Sequence, residues 1–234
     1  AAGLQSAGQV VEMPDRTPSL DAVLADRMPR LLTYQNAAYA ERYQAFVQEI
    51  ATAEQARTGT DRLARVVAVS LFKLMSYKDE YEVARLHVES GFLDRVAEQF
   101  ECDVRLRFHL APPLFARRDA QGLPVKQAFG AWIVPVFRLL ARAKGLRGTP
   151  LDLFGYTEER RAERKAVRDF ETLMRDQIRQ LTPKRLPLVL ELARLPQSVR
   201  GFGHVRYSQA QAAAIRQAEL LQLLGAEVSA ATVV

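Results

Sequence analysis

The chain has 234 residues, of which 48% are hydrophobic and 26% charged, and it carries a formal net charge of +6. This composition is typical of a globular protein, and no segment reaches the roughly 18 consecutive apolar residues of a membrane-spanning helix. Cys102 is the single cysteine, which excludes an internal disulfide, a four-cysteine zinc site and an iron–sulfur cluster ligated by this chain alone, and favours a reducing, cytoplasmic setting.

The first segment, residues 1–18, is predicted to be a disordered linker, because its residues are small and polar and contain Pro14 and Pro18 without an apolar period. The chain does not begin with methionine, so we expect it to be a piece of a longer polypeptide. Residues 19–225 are predicted to form one domain, followed by a frayed tail, residues 226–234.

The pattern after Ser19 predicts a mainly α fold. Ser19 can cap a helix, and apolar residues then recur at spacings of three and four, with a break or kink expected near Pro29 and an end near Gly59. Thr60 is predicted to cap the next helix. Further helices are predicted for residues 77–89, 92–100 and 131–145, from Thr157 to Gln180, from Thr182–Pro183 onward, and from Ser208 to a stop at Gly225.

One segment follows a different period. In VRLRFHL, residues 104–110, apolar side chains alternate with Arg105, Arg107 and His109, which is typical of a strand with one polar face. An exposed turn and a second short strand around Val125–Phe129 follow. We therefore predict a multi-helix domain with one small β-hairpin inserted near residues 103–129.

The positive charge suggests a polyanion partner, and a basic helical module that binds nucleic acid is one alternative function. The basic residues, however, are 27 arginines and 6 lysines, and they are mixed with acids, as in EERRAERKAVRDFE, residues 158–171. This segment is predicted to be a solvated helix face with ion pairs, so a nucleic-acid partner is the weaker interpretation.

Two glycines and one of the three histidines lie in SVRGFGHVRY, residues 198–207. A dinucleotide loop would need a preceding strand and a third glycine, so an interhelix turn is predicted. Anion contact by Arg200, Arg206 and the amide groups before the next helix is the alternative. His87, His109 and His204 show no metal-binding spacing. A standalone enzyme, the remaining alternative, requires that one of these histidines meets a carboxylate.

Charged side chains are dense in YKDEYEVARLH, residues 77–87, where Glu82 can pair with Arg85. Ion-paired helix packing or a pocket wall explains this string. In LRGTPLDLFG, residues 146–155, Asp152 is predicted to act as a local cap. The candidate interdomain or anion contacts are Lys78, Asp79, Glu80, Arg85, Arg147, Arg200 and His204.

Four strings together resemble the C-terminal region of single-chain indolepyruvate ferredoxin oxidoreductases, the fused 2-oxoacid:ferredoxin oxidoreductases. They are YKDEYEVARLH (77–87), HLAPPLF (109–115), KGLRGTPLDLFGYTEERRAER (144–164) and LPQSVRGFGHVRY (195–207), and the likeness covers roughly residues 19–225. The resemblance implies a parent enzyme that oxidatively decarboxylates an aryl-pyruvate to acyl-coenzyme A with reduction of ferredoxin, using thiamine diphosphate, magnesium and iron–sulfur clusters.

None of that catalytic equipment matches this chain, which contains no Gly-Asp pair for a thiamine diphosphate motif and one cysteine. The resemblance therefore implies an appended, non-catalytic domain with no cofactor of its own and no catalytic residue. Its implied partners are the catalytic domains of the same polypeptide and a second copy in a homodimeric parent, with ferredoxin reached through the parent and no membrane partner.

Overall fold

The computed structural model describes residues 18–99, 105–111, 125–201 and 203–232. The predicted linker therefore lies almost entirely outside the described residues. The helices are α1 (Leu20–Tyr34), α2 (Ala37–Thr58), α3 (Arg62–Met75), α4 (Glu80–Val88), α5 (Phe92–Glu98), α6 (Val134–Arg142), α7 (Glu158–Arg179), α8 (Leu186–Ser198) and α9 (Gly203–Thr232), and the strands are β1 (Phe108–Leu110) and β2 (Gln127–Phe129).

The β-hairpin is confirmed within the mainly α fold. Strands β1 and β2 pair antiparallel, with Phe108 opposite Phe129 and Leu110 opposite Gln127. Phe108 is buried and His109 is exposed, as the alternation in the sequence predicts. The strands themselves are only three residues long, shorter than the alternating segment.

Two apolar clusters organise the helices. In the larger cluster α3 is central and packs against α1, α2, α7 and α8, while α9 packs against α8. The smaller cluster joins α4, α6 and the hairpin. The fully buried side chains of the larger cluster include Leu31, Tyr43, Ile50, Leu71, Met174, Leu192 and Leu220.

The caps of the first helices follow the sequence signals in two places. Ser19 Oγ accepts a hydrogen bond from the Ala22 amide at 3.2 Å, and α2 ends at Gly59, whose φ is +69°. No break occurs at Pro29, because α1 continues to Tyr34 on an apolar stripe that the main core buries. A single missing backbone hydrogen bond is thus outweighed by packing.

The start of α3 differs from the prediction, because Thr60 does not cap it. The helix begins at Arg62, and the carboxylate that meets its amide groups belongs to Glu54 of α2. Glu54 Oε1 accepts from Leu63 N and Oε2 from Ala64 N, each at 2.8 Å, and Thr60 Oγ1 also donates to Oε1 at 2.8 Å. The cap is therefore supplied by a fully buried side chain of the preceding helix.

Helix boundaries near prolines and glycines also differ from the prediction. Helix α6 is preceded by one 3₁₀ turn, Ala131–Ile133, and followed by another, Ala143–Leu146, so Gly145 lies within a turn of helix. Helix α8 begins at Leu186, four residues after Thr182, whose hydroxyl accepts from Arg185 N at 3.3 Å.

The predicted stop of the last helix at Gly225 is wrong. Helix α9 starts at Gly203 and continues through Gly225 to Thr232, so residues 226–232 of the predicted tail are helical. A glycine ends a helix when it adopts a positive φ, and Gly225 does not. In the turn between α8 and α9, Gly201 has a φ of +83°, whereas Gly203 is already helical.

Candidate functional site

The centre of the site is a buried ion pair between Arg147 and Asp79. Asp79 caps α4 by accepting from Glu82 N at 2.8 Å, and Arg147 follows the 3₁₀ turn after α6. Arg147 Nε lies 2.6 Å from Asp79 Oδ2 and Nη2 lies 2.8 Å from Oδ1, while Nη1 donates to the Tyr34 carbonyl. The exposed fractions are 4% for Arg147 and 3% for Asp79. The pair thus joins the start of α4 to the end of α1.

Tyrosines surround this ion pair. The Arg147 guanidinium lies 3.8 Å from the Tyr34 ring centroid and 5.4 Å from that of Tyr81, within the range of cation–π attraction. Tyr34 and Tyr39 donate their hydroxyls to the carbonyls of Tyr77 and Met75, at 2.8 and 2.9 Å. The rings therefore shield the buried charges while their hydroxyls stay hydrogen-bonded.

The protonation states of these groups follow from their surroundings. Burial raises the pKa of Tyr34 well above its ordinary value, and the negative charge of Asp79 raises it further. Burial also raises the pKa of Tyr39 and of Tyr77. Burial lowers the pKa of the Arg147 guanidinium, but its hydrogen bonds to Asp79, together with the electrostatic effects of Tyr34, Asp79 and Glu82, more than offset this effect, so the net pKa is raised. At neutral pH the site therefore contains neutral phenols and a charged guanidinium.

Asp152 organises the loop that carries Arg147, and its predicted role as a local cap is confirmed. Its Oδ2 accepts from Gly148 N at 2.8 Å and its Oδ1 from Gly155 N at 3.0 Å. The hydroxyl of Tyr81, from α4, also donates to Oδ1 at 3.2 Å. The carboxylate thus closes the loop and attaches it to α4.

The prediction of a solvated helix face is only partly correct, because some charged side chains in the N-terminal half of α7 are buried. Arg160 and Glu163 are 8% and 7% exposed and pair at 2.5 Å between Nη1 and Oε2. Arg160 Nη2 also lies 3.3 Å from Oε1 of Glu80 on α4. Other charges of the segment, such as the Lys165–Asp169 pair, are solvated as predicted. Arg160 and Glu163 therefore belong to the contact between α7 and α4 and not to a solvated face.

A cleft of about 290 Å³ opens beside the ion pair, and we call it the arginine cleft. Two of its arginines, Arg164 and Arg168, are one turn apart on α7, and Arg42 comes from α2. No carboxylate is among the described residues that line it. The lining residues are Gln35, Tyr39, Arg42, Tyr77, Arg147, Gly148, Arg164, Val167 and Arg168.

The arginines of the cleft differ in their acidic partners. Arg42 Nη2 donates to both oxygens of Glu171, at 3.0 and 2.8 Å. Arg164 Nη1 lies 3.6 Å from Asp152 Oδ2. Arg168 is exposed and has no hydrogen bond or ion pair with any described residue. The cleft therefore carries more positive charge than its surroundings neutralise.

A second depression, of about 560 Å³, is larger but has few polar or charged side chains in its lining. Its lining contains one ionisable side chain, Asp61, together with Ala51, Thr52, Gln55 and Ala56. Volume alone does not make a binding site, since specific sites combine a concave surface with convergent polar groups. The arginine cleft meets that condition better.

Some of the remaining predicted contact residues lie near the Arg147–Asp79 ion pair, and others lie elsewhere in the fold. Glu80 binds Arg160, and Arg85 binds Glu82 at 2.7 Å, which confirms the predicted pair within α4. Lys78 is exposed and has no ion pair with a described residue. Arg200 donates its amide to Gln209 Oε1 at 2.5 Å, in the turn before α9, and its described hydrogen bonds are to residues outside the cleft. His204 lies in α9, and its side chain is outside the description.

Neither His87 nor His109, the histidines with described side chains, forms a hydrogen bond or ion pair with the carboxylate of a described residue. His87 packs against the rings of Phe92, Phe108 and Phe137, at centroid distances of 6.0, 5.5 and 5.0 Å, and its Nδ1 lies 2.7 Å from the Val83 carbonyl oxygen. His109 is exposed on β1. In the described parts of the chain, no three His, Cys, Asp or Glu side chains are grouped to hold a metal ion.

Several residues of the site were missed by sequence reasoning. Arg42, Arg164 and Arg168 were not singled out, although the spacing of four between Arg164 and Arg168 places them on one helix face. The convergence of Arg42 with them depends on the packing of α2 against α7. Arg147 was predicted as a contact residue, and the local spacing could have indicated Arg164 and Arg168, but not Arg42.

The fold and this site define a mainly α domain in which the polar motif residues form internal ion pairs beside a cationic cleft. Residues 20–219 match the family of unknown function DUF6537, and the chain belongs to that family. No curated protein and no solved structure matches the chain. None of the described helices is long and apolar enough to span a bilayer.

Proposed function

We propose that this chain is a non-catalytic C-terminal domain of an indolepyruvate-type 2-oxoacid:ferredoxin oxidoreductase, packed on the catalytic domains or on a dimer mate. The parent converts an aryl-pyruvate, coenzyme A and oxidised ferredoxin to acyl-coenzyme A, carbon dioxide and reduced ferredoxin, in the cytoplasm. The four strings quoted above support this proposal, and three of them border the ion-pair network or the turn between α8 and α9. The family match over residues 20–219 is compatible with a domain of this extent.

The observation that carries the proposal is an exposed apolar ridge, formed by Trp132, Val136 and Leu139. These side chains are spaced by four and three residues, and their exposed fractions are 65%, 41% and 69%. Exposed apolar side chains that share a face are typical of an interaction surface, because their burial against a partner is favourable. The loop of the third string adds exposed Leu151 and Leu153, each 69% exposed.

The contacts of the polar residues in the four sequence strings support a role in stabilising the domain and not in catalysis. Asp79, Arg147, Glu80, Arg160 and Asp152 have partners within the chain, as described above. The residues present do not fit magnesium-bound thiamine diphosphate or an iron–sulfur cluster, because the chain has no Gly-Asp pair, one cysteine and no described cluster of metal-ligating side chains. These cofactors would therefore bind in the catalytic domains.

The most direct test is the protein sequence encoded immediately before Ala1. We expect a thiamine diphosphate motif of the GDG…N type and cysteine pairs suited to iron–sulfur clusters in the same polypeptide. A complete upstream sequence that lacks both would overturn the parentage. Calorimetry on this chain offers a second test, since tight binding of thiamine diphosphate would contradict a non-catalytic role.

The packing role is tested in the parent enzyme with Leu139→Glu. We expect a lower melting temperature or a lower rate of aryl-pyruvate-dependent ferredoxin reduction, because the charge cannot be buried against a partner. Leu32→Glu, at a residue of α1 that is 51% exposed and outside the ridge, is the matched control. Equal behaviour of the two variants would exclude the ridge as the packing surface.

A further inference from the structure

We propose that the arginine cleft binds the oxyanion group, phosphate or carboxylate, of a small organic anion. This site does not depend on the proposed function, because it rests on the geometry of the cleft within this chain. The inference concerns binding only and assigns no reaction to the site.

The first argument is the convergence of charge from elements distant in the sequence. Arg42 on α2, Arg147 in the loop before α7, and Arg164 and Arg168 on α7 all line a space of about 290 Å³. Glu171, Asp79 and Asp152 pair with three of these arginines from outside the lining, so the four guanidinium groups leave one positive charge in excess in a partly enclosed space. A bound anion would interact favourably with all four guanidinium groups.

The second argument is that ion pairs orient two arginines of the cleft, while the total positive charge of the cleft is only partly neutralised. Glu171 holds Arg42 and Asp79 holds Arg147 from outside the lining, so these two guanidinium groups are oriented in advance. Arg168 has no partner among the described residues, and it supplies the surplus charge. Preorganised guanidinium groups of this kind are typical of sites for carboxylate and phosphate.

The third argument is the supply of neutral donors. Tyr77 lines the cleft, and its hydroxyl makes no hydrogen bond to another described residue. A phenol is already protonated at neutral pH and burial raises the pKa of Tyr77 further, so this hydroxyl can donate to an oxyanion. A volume near 290 Å³ is at the lower end of the range for small-molecule sites, about 300–1,000 Å³, which favours one compact ligand over a polymer.

Isothermal titration calorimetry on the whole chain tests the site, with inorganic phosphate, pyrophosphate and citrate as probes at constant ionic strength. We expect saturable 1:1 binding of at least one probe. The phosphate and citrate arms then distinguish phosphate from carboxylate as the preferred group. Absence of saturable binding by all three probes at millimolar concentration would overturn the proposal.

The variant that locates the site is Arg168→Gln, and Arg194→Gln is its control. Both arginines are exposed and have no ion pair with a described residue, but Arg194 is on α8, outside the cleft lining. Both variants lower the net charge by one, so general electrostatic attraction changes equally. We expect Arg168→Gln to raise the Kd about tenfold or more and Arg194→Gln to change it less than about twofold. Equal increases would show non-specific attraction and contradict the site.

Tyr77→Phe gives an independent readout of the same site. The variant keeps the ring and removes the hydroxyl, so we expect weaker binding, by about fivefold, with unchanged stoichiometry. An unchanged Kd for Tyr77→Phe together with an unchanged Kd for Arg168→Gln would place the anion elsewhere. Circular dichroism melts of each variant establish that the fold is retained.

Discussion

Arg147 and Asp79 bind each other at two points inside the protein, Nε to Oδ2 at 2.6 Å and Nη2 to Oδ1 at 2.8 Å. The two residues are 68 positions apart in the chain, and each has a second structural task. Asp79 caps α4, and Arg147 binds the carbonyl of Tyr34 at the end of α1. The pair therefore couples the small cluster of α4, α6 and the hairpin to the main helical core.

Replacing Arg147 by methionine is expected to destabilise the protein strongly. The change leaves the Asp79 carboxylate buried without its counter-charge, and loss of one partner of a buried pair costs about 3–5 kcal/mol. Urea unfolding followed by circular dichroism measures this loss. The matched control is Lys165→Met, which breaks the pair with Asp169 at a site where both side chains are more than half exposed, and it should cost less than about 1 kcal/mol. A similar cost for both variants would contradict the assigned role of Arg147.

Glu54→Gln is expected to weaken the start of α3 by about 1–3 kcal/mol. The carboxylate of Glu54 accepts from Thr60, Leu63 and Ala64, and it lies at the positive end of the α3 dipole. A glutamine has one acceptor oxygen, and its NH₂ group must face amide donors at the other position. Thermal unfolding measures the effect. Glu49→Gln, at an exposed position of the same helix, should have a much smaller effect, and reversal of this order would argue against the buried cap.

Gly155→Ala tests the close packing of the loop around Asp152. A Cβ at this position would lie 2.3 Å from Asp152 Oδ2, and that carboxylate is held by the Gly148 amide and the Tyr81 hydroxyl. Relief of the clash must disturb these bonds, so we expect a loss of about 1–3 kcal/mol in the free energy of unfolding. Gly145→Ala is the control, since no atom lies within 4 Å of its added Cβ. A neutral Gly155→Ala variant would show that the loop can rearrange.

Raising the pH above 10 is expected to unfold the protein cooperatively. Burial raises the pKa of five of the seven tyrosines above the ordinary value of 10.0, namely Tyr34, Tyr39, Tyr43, Tyr77 and Tyr81. Because these pKa values are higher in the folded state, their stabilising contribution is complete below pH 10.0 and is lost as the pH rises toward the folded-state values.

Phenolate absorbance and circular dichroism, recorded along the same alkaline titration, check this expectation. These five buried or partly buried tyrosines should ionise together with the loss of helix signal, whereas in the urea-unfolded chain all seven should ionise near the ordinary pKa. Ionisation of all seven tyrosines near pH 10.0 with the helices intact would contradict the buried tyrosine cluster.

The sequence by itself determined the helical fold, the hairpin and those element ends that depend on neighbouring residues. Ser19 and Thr157 cap α1 and α7, and Gly59 ends α2, because a hydroxyl or a positive φ acts within one turn of the chain. The Glu82–Arg85 pair and the hydrogen bonds of Asp152 to nearby amide groups were also predictable from the sequence, because the partners are only three or four residues apart.

Tertiary structure alone decided where buried charge lies. Thr60 is a good local cap, yet the nearby buried carboxylate of Glu54 takes its place. On α7, Arg160 is buried beside Glu80 and Arg164 is partly buried beside Asp152, and neither partner is close in sequence. Which arginines share a cleft depends on how α2, α7 and the loop pack. A charge is stable away from water only when an opposite charge or several dipoles meet it in space, and these partners lie many residues apart in the chain. Helical periodicity is a local property of the sequence, whereas the compensation of buried charge belongs to the folded structure.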